Sequence, residues 1–177
     1  FIVSKENIKD AISCPDEENL LENFSKVLSL EDPDIITGWN VIDFDLNFLK
    51  EKFNQYEIPF QLGRDNSNSK IKIEKGFFRD SKADLVGRQV LDGLSLLRAS
   101  FVKVRDYKLD TVAYNILGKN KLIAHKDKSK IDQIYKDDPE RLIEYNLEDA
   151  KLVYEILEKS GTLELSIQRS LLTGMQL

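Results

Sequence analysis

"DPDIITGWNVIDFD", residues 32–45, is the stretch whose reading decides the fold. Pro33 opens a run of branched side chains, Ile35, Ile36 and Thr37, and Gly38 closes it, which predicts a short buried strand. Helical spacing takes over across residues 44–56, with Phe44, Phe48, Leu49, Phe53 and Tyr56 as the expected apolar arc. Asn40, Asp43 and Asp45 stand where strand gives way to helix, beside the aromatic pair Trp39 and Phe44. One polar residue there is ordinary turn chemistry. Three suggest that the strand end holds something.

Working outward, "FIV" at residues 1–3 reads as the end of a strand. Leu20, Leu21, Phe24, Val27 and Leu28 fall at helical spacing behind Asp16, which suits the N-cap after Pro15. Residues 59–87 change character: "GRDNSNSK" is turn chemistry, "KIKIEKGFF" alternates, and "RDSKAD" reads as a second turn. A β-hairpin inserted at about 60–78 is expected. "RQVLDGLSLLRASF" reads as a strand running into a short helix. "LDTVAYNILG" reads as a helix stopped by Gly118. Residues 119–130 form a basic loop, and the clearest helix runs from Pro139 to about Lys159. Strands alternating with helices place the chain in the α/β class.

Composition narrows the chemistry. The 177 residues carry a net charge of −5, with 41% hydrophobic and 32% charged residues, as expected of one soluble domain. That charge disfavours a protein that coats duplex DNA through a basic surface. A single cysteine, Cys14, excludes an internal disulfide and a thiolate cluster, and points to a reducing, cytoplasmic setting. A single histidine, His125, excludes a multi-histidine zinc site. No apolar run is long enough to span a membrane. Any metal would have to be held mainly by carboxylates.

Two carboxylates stand on unexpected faces. At about 100° per residue, the helix from Pro139 gathers Leu142, Tyr145, Val153 and Ile156 on one side, and Asp149 falls among them. Glu144, Glu148, Lys151, Glu155 and Glu158 dress the other side. Asp45 is expected to point into the apolar arc of its own helix in the same way. An unpaired buried carboxylate costs several kcal/mol, so each asks for a partner. Plainer uses exist: Asp45 as a helix cap, Asp149 as the ion-pair partner of Arg88 or Arg98, Asp43 and Asn40 as turn residues.

"DPDIITGWNVIDFD" resembles the second exonuclease motif of family B DNA polymerases, an Asn ahead of a Phe-Asp pair after a buried strand. "YNLEDAKLVYEIL" resembles their third motif, a Tyr followed four residues later by Asp. "PFQLGRDNS" and "RQVLDGLSLLRASF", between the two, look most like the bacterial members. The resemblance spans nearly the whole chain. It implies a 3′–5′ proofreading exonuclease domain with the ribonuclease-H-like α/β fold and an inserted hairpin. It assigns residues 1–165 to that domain and 166–177 to the start of a connection toward the rest of the polymerase chain.

By the same resemblance, Asp45 and Asp149 would be metal ligands for Mg²⁺ or Mn²⁺, in a two-metal site. Tyr145 would hold the attacking water. Asn40 would support the site or touch the DNA strand end, and Phe44 would pack beneath it. The family's first motif, an Asp-x-Glu on the first strand, has no counterpart before Trp39. The acids of "CPDEEN" precede a helix, with no strand expected around them. The expectation is therefore truncated N-terminal strands, half the ligands and little activity in this stretch alone. An exonuclease-fold scaffold without catalysis is the alternative. His125 is expected at the surface, and Tyr107, Tyr114 and Phe101 are expected in core packing rather than base stacking.

Overall fold

The computed structural model describes residues 1–74, 81–100, 102–119, 134, 135 and 137–175. Its first elements are two short parallel strands, β1 (Ile2–Val3) and β2 (Ser13–Cys14). Asp16 then caps α1 (Glu17–Glu31), its carboxylate accepting from the amide of Asn19 at 2.8 Å. Glu17 and Glu18 in the first turn suit the positive end of the helix. The helix ends at Asp32, which takes the left-handed conformation with φ 43°.

β3 (Ile35–Gly38) pairs in parallel with β6 (Gln89–Asp92), in a register that sets Gly38 opposite Asp92. The Thr37 hydroxyl donates to the Leu91 carbonyl at 2.6 Å and adds a side-chain tie to that ladder. The strand is half-buried rather than fully buried. A π-helical turn (Ile42–Leu46) follows and runs directly into α2 (Asn47–Gln55). β4 (Lys70–Lys72) and β5 (Lys82–Asp84) pair antiparallel. The second strand of that pair therefore lies beyond the 60–78 expected for a hairpin, inside the "SKAD" stretch read as a turn. Ile71 facing Ala83 explains the choice, since this register puts both apolar side chains on one face.

The remaining elements are helical: α3 (Gly93–Ala99), α4 (Leu109–Leu117), α5 (Pro139–Ser160) and α6 (Thr162–Thr173). Asp138 caps α5, with Pro139 at its first position, and Gly161 ends it in the left-handed conformation. Gly118 ends α4 in the same way. α6 runs unbroken across residue 165 and packs on α3 and α5. Among the described residues, the strands form three separate pairs in a mixed α/β architecture. No described helix is long and apolar enough to cross a membrane.

Two hydrophobic cores organise these elements. The first gathers Leu21, Val41, Ile42, Leu46, Phe53, Phe60, Leu62, Ile71 and Leu85. The second gathers Leu97, Val112, Ala113, Leu152 and Ile156, with Trp39 and Tyr107 packed against it. The segment after β3 is anchored in both. Trp39 belongs to the second core and donates its indole N–H to the Tyr107 carbonyl at 3.1 Å, whereas Val41 and Ile42 belong to the first.

The apolar arc of residues 44–56 needs correction. Phe44 is 69% exposed and Phe48 is exposed too, with the Lys52 ammonium over its ring. The buried positions are Ile42, Leu46 and Phe53, with Leu49 and Tyr56 half-buried. Phe44 lies nine residues before Phe53, which at about 100° per residue is the opposite side of the helix. Asp45 is correspondingly exposed rather than pointed into an apolar arc.

Candidate active site

The left-handed Asn40, with φ 59°, makes the connection between β3 and the π turn. Asparagine adopts that conformation more readily than most residues, because its short polar side chain is tolerated there. Gly38 is required for space: a Cβ there would lie 2.9 Å from the Val41 Cβ. The π turn then closes through the Leu46 amide, which donates to the Val41 carbonyl at 2.8 Å. This local geometry carries Asp43, Phe44 and Asp45 out to solvent, while Ile42 and Leu46 hold the turn to the core.

Asp45 makes no helix cap, since neither the π turn nor α2 has a side-chain cap bond. Although the residue is exposed overall, its carboxylate loses part of its hydration against the protein, which raises its pKa, and the charge of Asp92 adds to the rise. Asp92 was not singled out by the sequence reading. The signal was present in "VLDGL", an acid at the end of an apolar run, which repeats the arrangement after β3. Its carboxylate accepts from the Ser95 amide at 3.0 Å, and the nearby amides of Ile42, Leu94 and Val41 also favour its charged form. Burial nevertheless raises its pKa.

The other candidate residues lie on α5. Tyr145 is buried and Asp149 half-buried, one turn apart on the same face, as the spacing implied. The Tyr145 hydroxyl donates to the Asp149 carboxylate. Desolvation first, then the negative charges of Asp149 and Asp110, push the phenol far above its ordinary pKa. The shift favours the neutral phenol, the form that can donate a hydrogen bond to Asp149. Asp110 on α4 is a further acid at this face that the sequence reading did not single out.

Neither arginine proposed as an ion-pair partner of Asp149 serves in that way. Arg88 bonds Asp32 at 2.8 Å, and Arg98 lies over the Tyr107 ring, 5.3 Å from its centre. Phe44 does not pack beneath the site but stands in solvent. Tyr107 packs against the second core as expected, whereas Tyr114 is exposed. Phe101, His125 and all of the basic stretch except Lys119 lie outside the described residues. Lys119 pairs with Glu155 of α5.

The acids of "CPDEEN" do have a strand beside them, because β2 ends at Cys14. They are engaged elsewhere: Asp16 caps α1, and Glu17 bonds Lys52 at 2.9 Å and the Tyr56 hydroxyl at 2.8 Å. Among the described residues no group of three acidic, histidine or cysteine side chains is placed to hold a metal ion. The donors that are present, Asp45 and Asp149, are hard carboxylate oxygens of the kind Mg²⁺ and Mn²⁺ take. A nearby cation would oppose the rise that lost hydration, with a smaller part from the Asp92 charge, produces at Asp45. The residues fit such an ion but supply only part of its shell.

Comparison with known proteins places this arrangement. DNA polymerase II of Escherichia coli (strain K12) is 35% identical over 163 residues, 88% of this chain and 20% of its own. The DNA polymerase delta catalytic subunit of Caenorhabditis elegans is 28% identical over 174 residues, 93% of this chain and 16% of its own. The DNA polymerase of Desulfurococcus sp. (strain Tok) is 28% identical over 157 residues, 89% of this chain and 20% of its own. The relatives are thus bacterial, animal and archaeal, and the chain spans a fifth or less of the length of each. The family model described as DNA polymerase family B, exonuclease domain, matches residues 3–112. That match covers more than half of the chain, which therefore belongs to the exonuclease-domain family of the family B DNA polymerases.

Proposed function

We propose that this chain is the 3′–5′ proofreading exonuclease part of a family B DNA polymerase, hydrolysing the 3′-terminal phosphodiester of DNA on a ribonuclease-H-like fold. The pairing of Tyr145 with Asp149 carries the reading, because a neutral phenol beside a half-buried carboxylate suits water positioning. Asp45 and Asp149 would hold the divalent metal, Mg²⁺ or Mn²⁺. Bound there, it would supply positive charge to the attacking water and to the departing 3′ oxygen.

The chain's own residues divide the remaining work. Asp149 accepts the Tyr145 hydroxyl proton in a hydrogen bond and so fixes the orientation of the phenol oxygen toward the water. Phe44, exposed next to Asp45, offers a ring on which the terminal base can stack. Asn40 presents its amide at the strand end. The antiparallel β4–β5 pair would be the inserted element beside the cleft. Polymerisation and contacts with primer-template DNA would belong to the longer protein.

The test uses the longest natural protein that carries this chain, with end-labelled single-stranded DNA. Stepwise shortening from the 3′ end is expected with Mg²⁺, abolished by chelation with EDTA and restored by added Mg²⁺ or Mn²⁺. No shortening with either metal would overturn the nuclease reading and leave the scaffold.

A further inference from the structure

The β3–β6 ladder ends at the Gly38–Asp92 pair, so no strand pairing holds the chain beyond that point. Asn40 follows in a left-handed conformation, and the π turn that bears Asp45 begins two residues later. Position after such a turn is set by whatever grips its first amides. The Asp92 carboxylate, at the end of β6 opposite Gly38, faces them: the amides of Val41 and Ile42 act to lower its pKa, while on the α3 side it accepts from the Ser95 amide at 3.0 Å. A carboxylate suits this task because its two oxygens offer about four acceptor sites and no donor. An asparagine would turn an N–H₂ group toward amides that are themselves donors.

The same aspartate also makes itself felt at Asp45, three residues after Ile42. Gly93, next in sequence, allows the close approach: a Cβ there would stand 3.0 Å from the Gly38 carbonyl oxygen. We propose that Asp92 is a positioning residue of the nuclease site, tying residues 41–45 to the end of β6 so that the Asp45 carboxylate is held at the strand end. This inference rests on the exonuclease reading of Asp45.

The experiment compares Asp92→Asn and Asp92→Ala with Asp16→Ala in the longest natural protein carrying the chain. Asp16→Ala strips an equivalent cap from α1, a helix that carries no part of the proposed site. Both Asp92 variants should exchange the amide hydrogens of Val41 and Ile42 faster. Their kcat for 3′-terminal hydrolysis should fall about tenfold to a hundredfold with KM for DNA unchanged, the usual scale for losing a group that orients a metal ligand. Asp16→Ala should lose thermal stability and keep kcat. If the asparagine variant folds and keeps the parent kcat, or if Asp16→Ala loses kcat equally, Asp92 is only a helix cap and the proposal is overturned. Should the parent itself lack nuclease activity, the exonuclease reading fails, and this proposal falls with it in a way visible before any variant is made.

Discussion

Asp149→Ala should lower the rate of 3′-terminal hydrolysis by roughly 10³-fold or more, with little change in melting temperature. Loss of a carboxylate that carries a divalent ion removes several kcal/mol of transition-state charge stabilisation, and about 1.4 kcal/mol is worth a factor of ten. The residue is only half-buried, so its removal leaves a small void and a tyrosine hydroxyl that water can reach. Tyr145→Phe separates the two roles within the pair. On the proposed roles, Asp149 would still bind metal without the hydroxyl but the water would lose its guide, and a loss of about tenfold to a hundredfold is expected. Single-turnover degradation of end-labelled DNA reads both values, and circular dichroism melting confirms the fold. Parent-like rates in Asp149→Ala would remove α5 from the catalytic account.

The second large effect concerns stability. Arg88→Ala should lower the unfolding free energy by roughly 3 kcal/mol, the scale of breaking a buried hydrogen-bond network. The Arg88 side chain is only 2% exposed, and its guanidinium donates to the carbonyls of Leu62 at 3.0 Å, Pro33 at 2.8 Å and Leu28 at 3.4 Å. It also meets the carboxylate of Asp32, the left-handed residue that ends α1. Deleting the fork takes a donor from the Leu62 and Pro33 carbonyls at the point where α1, the entry to β3 and the segment before β4 converge. Arg88→Lys keeps the charge but not the planar fork, and should recover only part of the loss. Urea unfolding should show a lower midpoint with an unchanged slope. A midpoint within error of the parent would mean that the neighbouring Arg64, which also bonds Asp32 at 2.7 Å, carries this junction alone.

Much of this was legible in the residues. Asp138, Pro139 and Gly161 bracket α5 with cap chemistry that few other arrangements satisfy, and the apolar spacing between them placed Tyr145 and Asp149 on one face. The strand ended by Gly38 and the strand-to-helix passage at "QVLDGL" were equally readable, because branched runs closed by glycine have few alternatives. The phase of residues 42–56 was not. Phe44 and Phe48 are apolar and suggest a buried stripe, but their angular distance from Phe53 puts them in solvent; only Ile42 and Leu46 show the true face. β5 escaped because Ser81, Lys82 and Asp84 have turn chemistry, and only pairing with Ile71 makes a strand of them. Asp92 was not singled out, and its local pattern shows no more than the helix cap that it forms on α3. Its place facing the Val41 and Ile42 amides depends on a parallel pairing across more than fifty residues that no local pattern encodes.

The left-handed link at Asn40 has a mechanical meaning. It joins a residue rooted in one packing unit, Trp39, to one rooted in the other, Val41. The proposed ligands are divided likewise, Asp45 riding with the first unit and Asp149 with the helix of the second. Such a site works as an alignment gauge: a slight slip between the two units separates its halves while each stays folded. Warming should therefore silence hydrolysis several degrees before circular dichroism reports melting. Coincident loss of both signals would mean that the two units move as one.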